Sequence, residues 1–138
     1  MLSLKTEVGK VAGPFREAVS RERIELFCQA AGACHEGVAP PTFFTVFRKG
    51  EFDLLQSLGL SLAQVLHADQ EYEYEAPVLA GDFVHFQTTL THVLEKQRAD
   101  SFMQFLTFET ELKAERASEI VIVGKAKSTI VVRGSKSV

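Results

Sequence analysis

The sequence predicts an α+β domain in which a long antiparallel sheet wraps around one central apolar helix, and three observations lead to this. The stretch 39–59 carries apolar residues at helical spacings of three, four and seven. Several later segments alternate polar and apolar residues, as half-buried strands do. The connections between these segments are short, which favours an antiparallel meander. An apolar helix followed by such a meander is the arrangement of the hot-dog fold.

The central helix is expected to begin at a double proline. Pro41 suits a first helical position, because its φ is already helical and its missing N–H would have no partner there. Gly50 inside the pattern costs roughly 1 kcal/mol relative to alanine. The apolar stripe consists of Phe43, Phe44, Val46, Phe47, Leu54, Leu55 and Leu58. Because the first two turns carry three phenylalanines, the helix must be covered by other elements.

Length and composition indicate one globular domain. The chain has 138 residues, of which 46% are hydrophobic and 24% charged. We expect a single domain over 1–138, with a core over about 8–133 and a frayed tail over 134–138. The net charge of −3 leaves no basic surplus, which argues against a nucleic-acid partner. Eleven phenylalanines against two tyrosines and no tryptophan indicate an apolar interior or an apolar ligand.

The cysteines and the N-terminus predict a cellular compartment. Cys28 and Cys34 form no CxxC motif and have no second cluster, so neither a disulfide framework nor a zinc site is expected. The first ten residues lack the pattern of a signal peptide, and no apolar run approaches the roughly 20 residues of a membrane span. We therefore expect a reduced cytoplasmic domain without membrane contact, metal or cofactor.

The elements around the central helix follow from local signals. Residues 15–19 are expected to form a short strand, and Ser20 an N-cap for a helix that ends at Gly32. Later strands are expected over 66–76, 83–94, 102–112 and 119–133, with turns at 77–82, 95–101 and 114–118. Alternation in the first of these strands places Leu66 beside the two tyrosines and opposite His67. In the next strand it places Leu94 and His92 on the face of Leu90, with His85 opposite, and Gly124 in the last strand suggests a bulge.

Two stretches carry a family resemblance. VAPPTFFTVF (38–47), followed by LHADQEYEYEAPVLAGDFVHFQTTLTHVLEK (66–96), resembles the MaoC-like dehydratases, in particular their N-terminal-type hot-dog module and the substrate-binding subunit of (3R)-hydroxyacyl-ACP dehydratases. The resemblance covers about residues 8–133. It implies binding of an acyl thioester on CoA or acyl carrier protein, with hydration of a trans-2-enoyl chain or dehydration of a (3R)-hydroxyacyl chain. It also implies a homodimer, or a heterodimer with a catalytic hot-dog subunit.

The chain departs from that family where catalysis is expected. Active members carry an Asp and a His in a D-x-N-P-x-H-like run, which perform general acid–base work. Here the Asp position is Ala33, the Asn-Pro is absent and the following segment is shorter. Active hydratases also place a glycine N–H toward the thioester oxygen, where this chain has Pro41, which lacks an N–H. The resemblance therefore implies a substrate-holding subunit whose catalytic pair lies on a partner.

Candidate site residues follow from this reading. His35 and Glu36 are the candidate acid–base pair, and a solvated loop is the alternative. The candidate substrate-binding residues are Pro41, Thr42, Phe43, Phe47 and His67. Thr42 is equally consistent with a threonine bonded to its own backbone, and His67 with a cap at the sheet edge. Two other functions stay open: a self-sufficient hydratase or hot-dog thioesterase, and a non-enzymatic acyl-CoA binding protein.

Overall fold

A five-stranded antiparallel sheet dominates the computed structural model, which describes residues 3–32 and 37–135. The strands are β1 (Val11–Ala18), β2 (Val65–Tyr74), β3 (Phe83–Arg98), β4 (Ser101–Arg116) and β5 (Glu119–Ser135). Their order across the sheet is β1-β3-β4-β5-β2. Together with two helices on one face, this confirms the α+β hot-dog class.

The position of β2 differs from the expected meander. β3, β4 and β5 follow one another as hairpins, but β2 pairs with β5 at the far edge of the sheet. β1 occupies the other edge of β3, over pairs from Val11–Thr89 to Ala18–Phe83. Since both edges of β3 are then taken, β2 can join only at β5, and residues 75–82 cross the end of the sheet.

The hairpins are tighter than the sequence predicts. The expected turns 95–101 and 114–118 each contain only two turn residues, Ala99-Asp100 and Ala117-Ser118. Their polar neighbours continue the strand ladders, because backbone pairing does not depend on an apolar side chain. β5 likewise extends to Ser135, which pairs with Ser101, so the tail expected to fray from 134 is ordered strand through 135.

The first helix confirms the capping prediction. In α1 (Arg21–Ala31), the hydroxyl oxygen of Ser20 accepts a hydrogen bond from the Arg23 N–H at 3.0 Å. Gly32 ends the helix with a φ of 93°. Cys28 is buried and disulfide-bonded, which corrects the expectation of reduced cysteines. A single disulfide needs no larger framework, so the spacing argument did not exclude it; Cys34, the other cysteine, lies outside the described residues.

The central segment is two helices rather than one. A 3-10 helix (Pro41–Val46) is followed by α2 (Lys49–Ser57), with a break at Phe47 and Arg48. Residues 41–47 are proline, threonine, phenylalanine and valine only, and all of these are poor α-helix formers. The stripe of apolar residues therefore stays buried while the helix axis changes direction.

Two glycines have specific structural reasons. A Cβ on Gly50 would overlap the hydroxyl of Thr88 on β3, so glycine lets α2 lie directly on the sheet. This close approach offsets the helix-propensity cost noted above. Gly124 lies at a register shift opposite Leu112 with a φ of 144°, and a Cβ there would overlap the carbonyl of Glu73. The predicted bulge in β5 is confirmed.

Two further bulges change which side chains face the helices. The bulge in β2 lies between His67 and Asp69, so His67 faces the helices and Leu66, 73% exposed, faces away. The bulge in β3 lies between Leu90 and His92, so His92 and the following Leu94 also face away. The face assignments predicted for these residues are wrong, because one extra residue reverses every side chain beyond it.

The core between sheet and helices has two parts. The aromatic cluster lies beneath the 3-10 helix and is centred on Phe43, Phe44, Phe47 and Phe86. The aliphatic cluster lies beneath α2 and contains Leu54, Leu55, Leu90, Leu106, Phe108, Ile130 and Val132. Within the described residues, no helix is both long and apolar enough to cross a membrane.

Candidate functional site

An apolar cavity opens where the 3-10 helix begins. Its volume is about 620 Å³, and it is lined by residues 38–41, Phe44 and residues 74–78. The two lining segments are held together by the Val38–Leu79 bridge and by a hydrogen bond from the Ala39 N–H to the Val78 carbonyl at 2.8 Å. Tyr74 and Glu75 are the lining residues whose side chains carry a polar group. We call this space the proline cavity.

The floor of the proline cavity is aromatic. The ring of Phe44 lies 5.0 Å from the ring of Tyr74 and 6.2 Å from that of Tyr72, between centroids. The two tyrosine rings stack at 5.7 Å. Burial raises the pKa of both phenols above the ordinary value, and the neighbouring Tyr74 adds to the rise of the Tyr72 pKa. Phe44 is buried and Tyr74 is 46% exposed, so the floor presents ring surface at the mouth of the cavity.

The start of the 3-10 helix offers few donors to a ligand. Pro41 lines the cavity, as the sequence suggested, but has no N–H. The Phe43 N–H donates to the Pro40 carbonyl at 2.8 Å, so it is already occupied. Thr42 is exposed, and its carbonyl accepts a hydrogen bond from the hydroxyl of Thr45 at 2.8 Å. This hydrogen bond comes from the hydroxyl of Thr45 and not from that of Thr42, so both interpretations of Thr42 stay predictions.

Phe43 and Phe47 lie in the aromatic cluster rather than in the cavity wall. Phe43 is 0% and Phe47 2% exposed, and their rings contact each other at 5.7 Å. Phe43 also meets Phe27 of α1, and Phe47 meets Phe86 of β3. Of the phenylalanines in this segment, Phe44 is the one that lines the cavity, and it was not among the candidate residues. Its helical spacing is the same as that of a core residue. The two tyrosines on one face of β2, which contact Phe44 in the structure, are the sequence signal for an aromatic site there.

His67 lies away from the proline cavity. Its Nε2 is 3.1 Å from Oε1 of Gln70, at the exposed start of β2. Tyr74, the cavity residue of the same strand, is seven residues further, which corresponds to roughly 23 Å of strand. The structure therefore brings Pro41 together with Phe44 and Tyr74, but not with His67.

One titratable pair borders the cavity: Arg116 donates to Asp82 at 2.7 Å and to the carbonyl of the lining residue Pro77 at 2.9 Å. The His85–Glu115 pair does not line it. His35 and Glu36, the candidate catalytic pair, fall outside the described residues. Nε2 of His85 lies 2.8 Å from Oε1 of Glu115, and hydrogen bonds from His85 and Arg16 lower the Glu115 pKa. His85 and this pair face away from the helices. Over 3–32 and 37–135, no group of three or more His, Cys, Asp or Glu side chains could hold a metal ion.

Comparison with known proteins identifies relatives that match most of the chain. A family model of the FAS1-like dehydratase domain region matches residues 6–123. A UPF0336 protein of Saccharopolyspora erythraea is 30% identical over 136 residues, covering 85% of this chain and 82% of its own length. The family match therefore spans β1 to β4, both helices and the start of β5.

Solved structures share the fold. The C-terminally truncated HadBC (3R-hydroxyacyl-ACP dehydratase) complex of Mycobacterium tuberculosis matches with a TM-score of 0.71 at 20% identity, covering 91% of this chain and 96% of that one. The ChsH1–ChsH2 complex of the same organism matches with a TM-score of 0.63 at 19% identity, covering 94% and 86%. At these identities the likeness concerns the fold alone.

Proposed function

Since this chain belongs to the MaoC-like dehydratase family, we propose that it binds the acyl thioester of a (3R)-hydroxyacyl dehydratase or (R)-specific enoyl hydratase in the proline cavity. In this proposal the substrate is carried on CoA or acyl carrier protein. The chain acts as the substrate-binding partner, and a second hot-dog subunit supplies the acid–base pair. Catalysis by this chain alone is the principal alternative.

The proline cavity is the observation that carries this proposal. Its volume of about 620 Å³ lies within the roughly 300–1,000 Å³ of small-molecule sites. Among the described lining residues, all but Tyr74 and Glu75 have apolar side chains, which suits an acyl chain. The aliphatic stem of an acyl thioester gains about 0.8 kcal/mol per buried methylene in such a space. An apolar floor with a polar rim thus fits a thioester whose carrier remains in solvent.

A division of labour between subunits is supported by what faces the cavity. Of the described residues that line it, only Glu75 is a carboxylate, and none is a histidine. The Phe43 N–H is engaged by Pro40, and Pro41 has no N–H, so neither residue donates to a developing oxyanion from this chain. HadBC and ChsH1–ChsH2 are complexes by name. Tyr74 belongs to the sheet edge, where a partner strand can extend the sheet.

The first experiment measures acyl-CoA binding with a cavity-filling variant. Ala76→Trp places an indole into the cavity wall and is expected to weaken binding of a long acyl-CoA at least tenfold. Ala63→Trp, on the exposed 3-10 turn before β2, is the matched control and should bind as the wild type does. Thermal unfolding establishes that both variants are folded. Equal binding by all three proteins would contradict the proposed site.

The second experiment measures turnover of an enoyl-CoA panel by the chain alone and with a candidate hot-dog partner. Hydration only in the presence of the partner supports the proposal. Hydration by the chain alone that is lost in His35→Ala or Glu36→Ala identifies a self-sufficient hydratase instead. Hydrolysis of acyl-CoA identifies a thioesterase, and tight binding without turnover with any partner identifies a binding protein; all three outcomes contradict the division of labour.

A further inference from the structure

A line of apolar side chains crosses the outer face of the sheet, on the side away from α2. Leu66 of β2 is paired with Val131 of β5, Val131 with Phe105 of β4, and Phe105 with Leu94 of β3. Directly paired residues of antiparallel strands share a face and contact each other. Leu66 is 73% and Leu94 55% exposed, while Val131 and Phe105 are half-buried. We call these four residues the outer row.

Two bulges create the outer row. Without the bulge beyond His67, the alternation of β2 would turn Leu66 toward the helices. Without the bulge after Leu90, the alternation of β3 would do the same to Leu94. Each bulge interrupts a ladder of backbone hydrogen bonds, yet both bring an exposed leucine into one line. An aligned, solvent-exposed apolar row of this kind is typical of an interaction surface.

The outer face is also electrically asymmetric about this row. Beyond one side of it lie, by strand register, Asp69, Glu71, Glu73, Glu109 and Glu111, with Lys113, Lys125 and Lys127 among them. Beyond the other side lie Lys96, Arg98 and Arg133. The face therefore has an acidic end and a basic end, separated by the outer row.

This arrangement is self-complementary for one symmetry only. A two-fold axis along the outer row places the row of one copy on the row of another. It also places the acidic end of each copy over the basic end of the other. A two-fold axis parallel to the strands would instead bring the two acidic ends together. Charge complementarity thus selects both a second copy as the occupant and its orientation.

The size of the face is adequate for a specific contact. Neighbouring strands lie about 4.8 Å apart and successive outward residues about 7 Å apart, so four strands and six rows cover on the order of 600–800 Å². Stable interfaces bury about 800 Å² per partner. We propose that two copies of this chain pack outer face to outer face through the outer row, antiparallel in strand direction. The sheet edges and the proline cavity stay free in this assembly.

Charge reversal tests the orientation. One variant combines Lys96→Glu with Arg133→Glu, and the other combines Glu109→Lys with Glu111→Lys. Each variant alone faces like charges across the interface, so sedimentation should show a dissociation constant at least tenfold higher than that of the wild type. Mixed in equal amounts, the two variants present opposite charges at both ends, and we expect wild-type association to return.

The apolar contact is tested separately. By sedimentation, we expect Leu66→Glu to lose the association of two copies through the outer row, so that its mass is half that of the wild type. Leu62→Glu, at a 68% exposed leucine of the 3-10 turn before β2, should keep the wild-type mass. Circular dichroism and thermal unfolding establish that the variants are folded. The proposal is overturned if wild type and Leu66→Glu have the same mass at every concentration, if Leu62→Glu loses as much, or if the mixed charge variants do not associate.

Discussion

The aromatic and aliphatic clusters lie on the same sheet face but differ in how completely they are closed. Beneath α2, buried polar groups are paired: the hydroxyl of Ser128 donates to Glu51 at 2.8 Å, and the hydroxyls of Thr88 and Thr110 lie 2.7 Å apart. Beneath the 3-10 helix, the core ends in the proline cavity. Gly50 lets α2 approach the sheet closely, whereas Pro40 is extended and Pro41 begins the short 3-10 helix beside the cavity.

This difference relates stability to function. A closed cluster with satisfied polar groups resists local opening, and an open cluster retains space for a ligand. Among the described residues, every buried side-chain nitrogen and oxygen has a hydrogen-bond partner. The cavity beside the aromatic cluster is therefore not accompanied by unsatisfied polar groups. We expect substitutions beneath α2 to change stability most, and substitutions at the cavity to change binding most.

The largest effect is expected in the aliphatic cluster. Leu106 is 0% exposed, so Leu106→Ala leaves a void in a closed space and should lower the free energy of unfolding by about 2–5 kcal/mol. Chemical denaturation measures this. Leu62→Ala, at an exposed leucine, should change it by less than about 0.5 kcal/mol. If Leu106→Ala lowers the free energy of unfolding as little as Leu62→Ala does, the aliphatic cluster is not closed.

The next effect concerns the buried carboxylate of α2. Glu51 is 4% exposed, accepts from Ser128, and accepts from Arg48 Nε at 3.0 Å. Glu51→Ala removes an acceptor from both donors and should cost about 1.5–3 kcal/mol of unfolding free energy. A double-mutant cycle with Ser128→Ala isolates the pair. Additive losses in the cycle would show that the two side chains do not stabilise each other.

A matched phenylalanine pair sharpens the comparison. Phe108→Leu, in the aliphatic cluster, should cost about 1–2 kcal/mol, while Phe44→Leu should cost less than about 1 kcal/mol. Phe44 is only 3% exposed but lines the cavity, so the space left by leucine there joins an existing cavity instead of forming a new closed void. Acyl-CoA affinity should change in Phe44→Leu and stay unchanged in Phe108→Leu. Denaturation and binding titrations on the same two proteins measure both quantities, and the reverse ranking would refute the distinction between the halves.

Local signals in the sequence predict α1 and most strands well. Ser20 and Gly32 cap α1 because capping depends on residues within one turn. Strand alternation located β2 to β5, since side chains on successive residues face opposite ways. The bulges at Ala68 and Thr91 and the pairing of β2 with β5 were not predictable in this way. They result from competition among distant strands for hydrogen-bonding edges.

The candidate site was predictable only in part for the same reason. Pro41 was identified through the family resemblance and does line the cavity. The segment 74–78 was not identified, because the Val38–Leu79 bridge that brings it there joins residues 41 apart in sequence. Phe43 and Phe44 are adjacent and equally apolar, so only the three-dimensional arrangement shows that Phe44 forms the wall.

The smallest predicted effect is optical and concerns the cavity floor. The chain has two tyrosines and no tryptophan, so alkaline absorbance titration reports Tyr72 and Tyr74 alone. Burial raises both pKa values above the ordinary value of about 10. The folded state then keeps protons that the unfolded state releases, so this contribution to stability is full below about pH 10 and is lost as pH rises through the folded pKa values.

Single-tyrosine variants assign the two transitions and connect them to the cavity. In Tyr72→Phe the remaining Tyr74 lines the cavity, so bound acyl-CoA should desolvate it and raise its pKa further. In Tyr74→Phe the remaining Tyr72 lies behind the wall, and its pKa should respond much less to the same ligand. Adding Phe44→Leu to the Tyr74→Phe variant should move the pKa of Tyr72 closer to its ordinary value, because the smaller side chain admits water beside the phenol. If ligand shifts Tyr72 and Tyr74 equally, the acyl chain enters between sheet and helix rather than the proline cavity, and the two halves of the core are not functionally distinct.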